Sequence, residues 1–171
     1  MTGEQPLVNR VANSGLITLD LERFYPNAET AVFDLKDYLF QGLILREKDF
    51  REVVKNHDWS QYAGKTLLVH CSADAIIPMW AYMLVSTAAT PFAADIFQGS
   101  PDEWLRAAYR ENIAGLDIEP YKDQRLVIKG CGDKPVPPAA YLAISRRLQP
   151  VAKSIMFGEP CSTVPVYKRK D

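Results

Sequence analysis

The chain has 171 residues, of which 47% are apolar and 24% are charged, and its formal net charge is -1. A chain of this length can bury roughly 70% of the surface that it exposes when unfolded, so it needs neither a disulfide nor a metal merely to fold. The ordinary composition argues against a disordered chain. The near-neutral charge argues against a dedicated nucleic-acid surface, because such a surface carries a basic face.

The sequence also contains no targeting or membrane signal. Its first residues show no basic region followed by an apolar core, so we expect no secretory leader. No apolar stretch reaches the roughly 18 residues that a membrane helix needs. We therefore expect a cytoplasmic protein, in which thiols stay reduced. The three cysteines are an odd number, so a disulfide framework could not use all of them.

Short apolar runs alternate with segments of helical length along the chain. The predicted strands are 16–21, 30–33, 66–70, 93–97, 125–129 and 154–157. The predicted helices are 35–40, 46–57, a segment that opens near Asp74 with Pro78 in its first turns, 101–115, and a segment from Pro137 or Pro138 to Gln149. Such alternation is typical of βαβ units with mostly parallel strands.

We therefore predict an α/β fold: a single domain over 1–171 with a central, mostly parallel sheet flanked by helices. Within it, an N-terminal strand and helix region, 1–60, is expected to pack on a βαβ core, 65–165. One helix start is especially clear, because Ser100 can act as N-cap, Pro101 can take the first helical position and Glu103 can return the capping bond.

All three cysteines stand where an apolar, strand-like run ends. Cys71, Cys131 and Cys161 each follow such a run and each precede Gly or Ser. The passages 71–78, 131–137 and 161–165 each run from a cysteine to a proline, and beyond this similarity we expect no long-period repeat. Ligands of open parallel sheets bind beyond the carboxyl ends of the strands. If the strands are neighbours, the three thiols share one edge of the sheet.

Three thiolates favour zinc, iron or an iron–sulfur cluster, because soft sulfur selects these metals over magnesium or calcium. The sequence therefore predicts a metal site built on Cys71, Cys131 and Cys161. Further ligands, or acceptors beside the ligands, are Asp74 and Asp133. The other candidates for a fourth ligand are His70, Glu159 and water.

Two other classes of function remain open, and with them the question of whether the protein is an enzyme. In the first, Cys71 or Cys131 is a nucleophile activated by a helix N-terminus and by His57 or His70. In the second, the protein is a noncatalytic binding partner that uses aromatic side chains such as Tyr25, Tyr38 and Phe40. Dinucleotide, P-loop and zincin motifs are absent from the sequence.

The chain resembles a bacterial family, domain of unknown function 2480, over nearly its whole length. The resemblance rests on the segments 34–51, 56–59, 71–78, 129–137 and 158–165. The resemblance implies that the protein is encoded beside iron–sulfur cluster assembly proteins of the SUF type. Those proteins are the expected partners, and the expected role is accessory to cluster assembly or delivery, with neither a nucleic acid nor a membrane involved.

Overall fold

The structure, a computed structural model, describes residues 15–170. Its strands are β1 (Leu16–Asp20), β2 (Thr30–Asp34), β3 (Thr66–His70), β4 (Asp95–Gln98), β5 (Arg125–Lys129), β6 (Ser154–Glu159) and β7 (Ser162–Lys168). Its α-helices are α1 (Glu47–Asn56), α2 (Met79–Ala89), α3 (Pro101–Ala114) and α4 (Pro138–Leu148). Within this part of the chain, no helix has the length and apolar character needed to span a bilayer.

The described residues form two compact units, each with its own sheet. Unit 1 comprises 15–26 and 106–170, and unit 2 comprises Asn27–Leu105. In unit 1 the strand order is β1-β5-β6-β7, with β7 antiparallel to its neighbour; in unit 2 the order is β2-β3-β4, all parallel. The predicted α/β class with mostly parallel strands is confirmed. The extent of the single domain stays a prediction.

The two units repeat the same order of elements 59 residues apart. The starts of β3, α2 and β4 at Thr66, Met79 and Asp95 correspond to the starts of β5, α4 and β6 at Arg125, Pro138 and Ser154. Residues that keep their identity across this interval include the pairs Asp74 and Asp133, Pro78 and Pro137, Ala81 and Ala140, Tyr82 and Tyr141, Ser86 and Ser145, and Gly99 and Gly158. The expectation that the chain has no long-period repeat is therefore wrong.

The first strand of each unit completes the repeat. β1 pairs with β5 from Leu16 opposite Arg125, and β2 pairs with β3 from Thr30 opposite Thr66. β1 ends in Asp20 and β2 ends in Asp34. Each aspartate carboxylate accepts the backbone N–H of the residue two positions later and so caps a short 3-10 helix. Each unit is thus a strand, a capped turn, and a strand–helix–strand segment.

The two cores are also equivalent. Matched buried pairs of unit 2 and unit 1 are Phe33 and Leu19, Leu35 and Leu21, Phe50 and Tyr109, Val54 and Ile113, Leu67 and Leu126, Val85 and Ile144, and Ala89 and Leu148. Fully burying one aliphatic side chain of this kind stabilises a fold by about 1.5–3 kcal/mol. One apolar pattern, used twice, therefore supports both sheets.

Two predicted elements differ from the structure, and one strand of the structure was not predicted. The helix expected to open near Asp74 begins only at Met79, because Pro78 occupies the N-cap position and holds extended backbone. The expected helix at 35–40 is a 3-10 turn, Leu35–Tyr38. Strand β7 was not predicted. The capping box at Ser100 and Glu103 is confirmed, with the Ser100 backbone N–H donating to the Glu103 carboxylate at 2.8 Å.

Candidate functional site

The structure places two of the three cysteines on one sheet edge. Cys131 follows β5 and Cys161 follows β6, which are parallel neighbours in unit 1, and both thiols are free and exposed. Neighbouring strands lie about 4.8 Å apart. Cys71 follows β3 in unit 2. The condition for a single edge shared by all three thiols was that 66–70 and 125–129 are neighbouring strands, and it is not met, because the two belong to different sheets.

An ion-pair network joins the strand ends beside these thiols. The ammonium of Lys129 lies 3.5 Å from the Asp20 carboxylate and 3.6 Å from the Glu159 carboxylate. These three residues end β5, β1 and β6, so one cation links the carboxyl ends of three adjacent strands. The pKa of Lys129 is raised by Glu159 and then by Asp20. Lys129 therefore stays an ammonium at neutral pH.

The loop that carries Cys131 is packed tightly on both sides of the cysteine. A Cβ at Gly130 would lie 2.7 Å from the Tyr141 hydroxyl, and a Cβ at Gly132 would overlap the Glu22 carboxylate. The same carboxylate accepts the backbone N–H of Lys134 at 3.3 Å. Any larger residue at either position would displace one of these side-chain ends, and the loop is held in place by groups from the 3-10 helix after β1 and from α4.

The Cys131 thiol has a specific polar neighbour in unit 1. The pKa of Tyr141 is raised, first by burial and then by the charge of Cys131 and by a hydrogen bond between the two side chains. The Tyr141 ring packs edge-on against Phe157 of β6, with 5.7 Å between ring centroids. Tyr141 therefore stays protonated at neutral pH and can donate to a thiolate.

A buried hydroxyl near this edge has no partner among the described residues. Tyr109 is 0% exposed, and its hydroxyl makes no hydrogen bond with residues 15–170. Burial, together with the charge of Glu22, raises the pKa of Tyr109 to about 12, so the group is a neutral donor. Its ring packs edge-on against Tyr25, and the Lys134 ammonium lies 5.3 Å from the centre of the Tyr25 ring. An unsatisfied buried hydroxyl costs about 1–3 kcal/mol.

In unit 2 the same edge is satisfied internally. The Asp34 carboxylate, equivalent to Asp20, accepts the Ser72 hydroxyl at 2.6 Å, the Ser72 backbone N–H at 3.0 Å and the Lys36 backbone N–H at 3.0 Å. Burial opposes ionisation, yet these hydrogen bonds lower the pKa of Asp34 to about 2. The half-buried Cys71 thiol donates to the Ala73 carbonyl at 3.5 Å.

The remaining predicted ligands are spread over both units. Asp133 is exposed on the Cys131 loop of unit 1, whereas Asp74 is exposed and His70 half-buried in unit 2. Within the described residues, no group of three or more His, Cys, Asp or Glu side chains is arranged to hold a metal ion. The assignment of these residues as metal ligands stays a prediction.

The residues considered for the alternative functions also have defined places. His57 lies in unit 2, where it stacks on Tyr62 and accepts or donates a 2.9 Å hydrogen bond with its hydroxyl; burial lowers the pKa of His57. Tyr38 stacks on Phe33 of the unit 2 core. Phe40 lies under the Arg46 guanidinium, 3.1 Å from the ring centre. Two of the three proposed surface aromatics, Tyr25 and Tyr38, thus pack against core side chains.

Sequence reasoning did not find Asp20, Glu22, Tyr109 or Tyr141. A signal for two of them exists. The pattern of aspartate, leucine, two further residues and an aromatic residue occurs at 20–24 and again at 34–38, and Tyr141 lies 59 residues after Tyr82. Comparing the chain with itself would have placed Asp20 and Tyr141 at equivalent strand ends and helix starts.

The fold and this edge define an α/β protein with two repeated units whose sheet edges differ, since one is satisfied internally and the other bears exposed thiols. The family model described as "Protein of unknown function (DUF2480)" matches residues 5–169, so the chain belongs to this family. Neither the curated proteins nor the solved structures include a match.

Proposed function

We propose that the protein binds zinc, iron or an iron–sulfur species through the thiolates of Cys131 and Cys161. The observation that carries this proposal is that both cysteines follow parallel neighbouring strands, whose ends are tied together by the ion pair of Lys129 with Glu159. Both thiols are exposed and unpaired, and soft sulfur ligands select these metals.

The proposed complex is a transient one. Two thiolates supply half of a tetrahedral coordination sphere, and the rest would come from sulfide, from Asp133 or Glu159, or from another protein. A ligand held in this way can be passed on, because the acceptor needs to displace few bonds. This supports an accessory role in iron–sulfur cluster assembly or delivery, with cluster assembly proteins as partners.

The test uses protein purified and loaded with ferrous iron and sulfide, or with zinc, under reducing and oxygen-free conditions. Elemental analysis and the thiolate-to-metal absorption band are measured for Cys131→Ser, Cys161→Ser and Cys71→Ser. We expect the first two variants to bind the metal at least about tenfold more weakly, since even indirect ligand neighbours contribute that much. Cys71→Ser is the matched control, because its thiol is half-buried in unit 2 and donates to Ala73.

Equal loss in all three variants would contradict the two-thiol proposal and favour the three-cysteine site. Absence of bound zinc, iron and any absorption band in the unsubstituted protein would contradict both.

A cysteine-nucleophile enzyme is the second candidate, and the contact of the Tyr141 hydroxyl with the Cys131 thiol favours it. In that case Cys131 should react with iodoacetamide much faster than Cys161, although both are exposed. Tyr141→Phe should change the Cys131 rate and leave the Cys161 rate unaltered. Equal alkylation rates at the two thiols would remove this candidate.

A further inference from the structure

Each unit carries an apolar groove between its repeated helix and its last parallel strand. In unit 1 the groove measures about 420 Å³ and lies between α4 and the strands β5, β6 and β7. In unit 2 it measures about 400 Å³ and lies between α2 and the strands β3 and β4. The lining residues of the two grooves correspond at the 59-residue interval, for example Tyr82 with Tyr141 and Ser86 with Ser145.

The two grooves differ in what lies beside the outer strand. In unit 1, β7 pairs antiparallel with β6, and Val166 of β7 forms part of the groove wall. In unit 2, β4 occupies the place of β6 but is the last strand of its sheet among the described residues. Its outer backbone N–H and C=O groups are a template for another strand.

The surface beside β4 is apolar and partly exposed. Met79 and Met83, one turn apart on α2, are 70% and 68% exposed, and Met83 lines the groove. Methionine side chains adapt to different partners because they are flexible and polarisable. Ile96 and Phe97 of β4 are only half-buried. An added strand would cover this apolar surface.

The register of unit 1 indicates the charge that such a strand should carry. Ser154, the first residue of β6, lies opposite Lys168 of β7. Asp95 takes the place of Ser154 in unit 2; it is exposed and makes no ion pair with the rest of the described chain. A lysine or arginine at the position of Lys168 would therefore face a carboxylate, a favourable cross-strand pair.

We propose that the outer edge of β4 binds an extended segment of a partner protein by antiparallel strand addition, in the position that β7 occupies in unit 1. The segment has apolar side chains at alternate positions and a basic residue opposite Asp95. Backbone hydrogen bonds supply its affinity, and the groove beside Met83 with the Asp95 carboxylate supplies its specificity.

The probe is a synthetic peptide with the sequence of 162–169, carrying Pro165→Val so that the backbone at this position can donate. Backbone amide shifts of the full-length protein are followed by NMR during titration. We expect the largest changes at β4 and at Met83. Binding should weaken about fivefold when the peptide carries Lys168→Glu, because an attractive pair becomes a repulsive one.

The protein variant Asp95→Lys provides the internal control. It should prefer the Lys168→Glu peptide over the parent peptide, and this reversal also shows that the variant is folded. Unchanged preference, or shifts confined to β6 and β7, would overturn the proposal. Concentration-dependent dimers that Asp95→Lys dissociates, together with no peptide binding, would likewise overturn it, in favour of a second copy of the chain.

Discussion

Tyr109 and Phe50 occupy equivalent buried positions in the two units, and only Tyr109 has a hydroxyl to satisfy. Phe50 is 1% exposed within an aromatic cluster, whereas the Tyr109 hydroxyl is buried and has no partner in the part of the chain that the structure describes. The difference lies beside the edge that carries the exposed thiols. Most buried polar atoms in folded proteins are hydrogen-bonded, so this hydroxyl is an exception within the described residues.

We predict that Tyr109→Phe raises the free energy of unfolding in urea by about 1 kcal/mol, because it removes an unsatisfied buried hydroxyl. The converse change, Phe50→Tyr, should lower it by about 1–3 kcal/mol and is the matched control. A clear loss of stability in Tyr109→Phe would show that the hydroxyl has a partner in the folded protein.

The same pair of variants has a signature at high pH. The folded pKa of Tyr109, about 12, is raised above its ordinary value of 10.0, so above pH 10 the unfolded chain loses the phenolic proton before the folded protein does. Stability therefore falls as the pH rises from 10 towards 12, and Tyr109→Phe should remove this part of the alkaline loss of stability.

At the scale of the elements, Asp34 ties the end of β2 to the loop that follows β3. Its carboxylate is 13% exposed and is held by Ser72 and Lys36. In unit 1 the residue equivalent to Ser72 is Cys131, and Asp20 pairs instead with Lys129. One loop is thus closed by a serine, while the other presents a thiol.

We predict that Ser72→Ala lowers the free energy of unfolding at pH 7 by about 1–2 kcal/mol, because hydrogen bonds to a charged acceptor are the strong ones. The folded pKa of Asp34, about 2, lies below its ordinary value of 3.8. Its contribution is therefore present above pH 3.8 and is lost as the pH falls towards 2.

Urea unfolding between pH 2 and pH 7 tests this expectation. The acid dependence should be shallower in Ser72→Ala than in the unsubstituted protein, while Ser86→Ala, in the same unit but outside the Asp34 network, should leave it unaltered. An unchanged slope in Ser72→Ala would mean that Ser72 does not set the Asp34 pKa.

Most elements could be predicted from the sequence, because continuous apolar runs such as 66–70 and 125–129 form buried strands in whichever parallel sheet they join. Strand β7 was not predicted because Pro165 is typical of a loop, although proline is compatible with an edge strand. The division into two sheets was not predicted either. The apolar pattern of each strand is compatible with either sheet. The neighbouring strand is therefore determined by the repeated order of elements and not by local composition.

The candidate site was only partly predictable for a related reason. Cys71 and Cys131 look alike in sequence, yet at the 59-residue interval Cys71 corresponds to Gly130 and Cys131 to Ser72. The two cysteines therefore occupy positions that differ by one residue within the repeat. Residue type identified the cysteines, but only the topology shows which of them share an edge.

At the scale of the whole molecule, unit 2 is continuous in sequence and unit 1 is not. Unit 2 contains all three strands of its sheet and its own core, which includes Phe33, Phe50, Leu67 and Val85. Unit 1 needs β1 for its sheet order, and β1 is separated from β5 by the whole of unit 2.

We predict that the fragment 27–105 folds when expressed alone, whereas the fragment 106–170 does not. The second fragment lacks β1 and the 3-10 helix after it, and with them the buried Leu19 and Leu21. Circular dichroism and a cooperative urea transition measure the outcome. A folded 106–170 fragment would show that β1 is dispensable, and an unstructured 27–105 fragment would show that unit 2 depends on the rest of the chain.

This interrupted arrangement has a consequence for synthesis on the ribosome. β1 can pair only after the ribosome has synthesised the chain as far as Arg125, the partner of Leu16. β2 can pair once the chain reaches Thr66, the partner of Thr30. At about 5–20 residues per second, the roughly 100 residues between β1 and β5 take on the order of 5–20 s to translate. During that time unit 2 can fold while the first strand of unit 1 stays without its neighbour, so the duplicated folds should form one after the other in the cell.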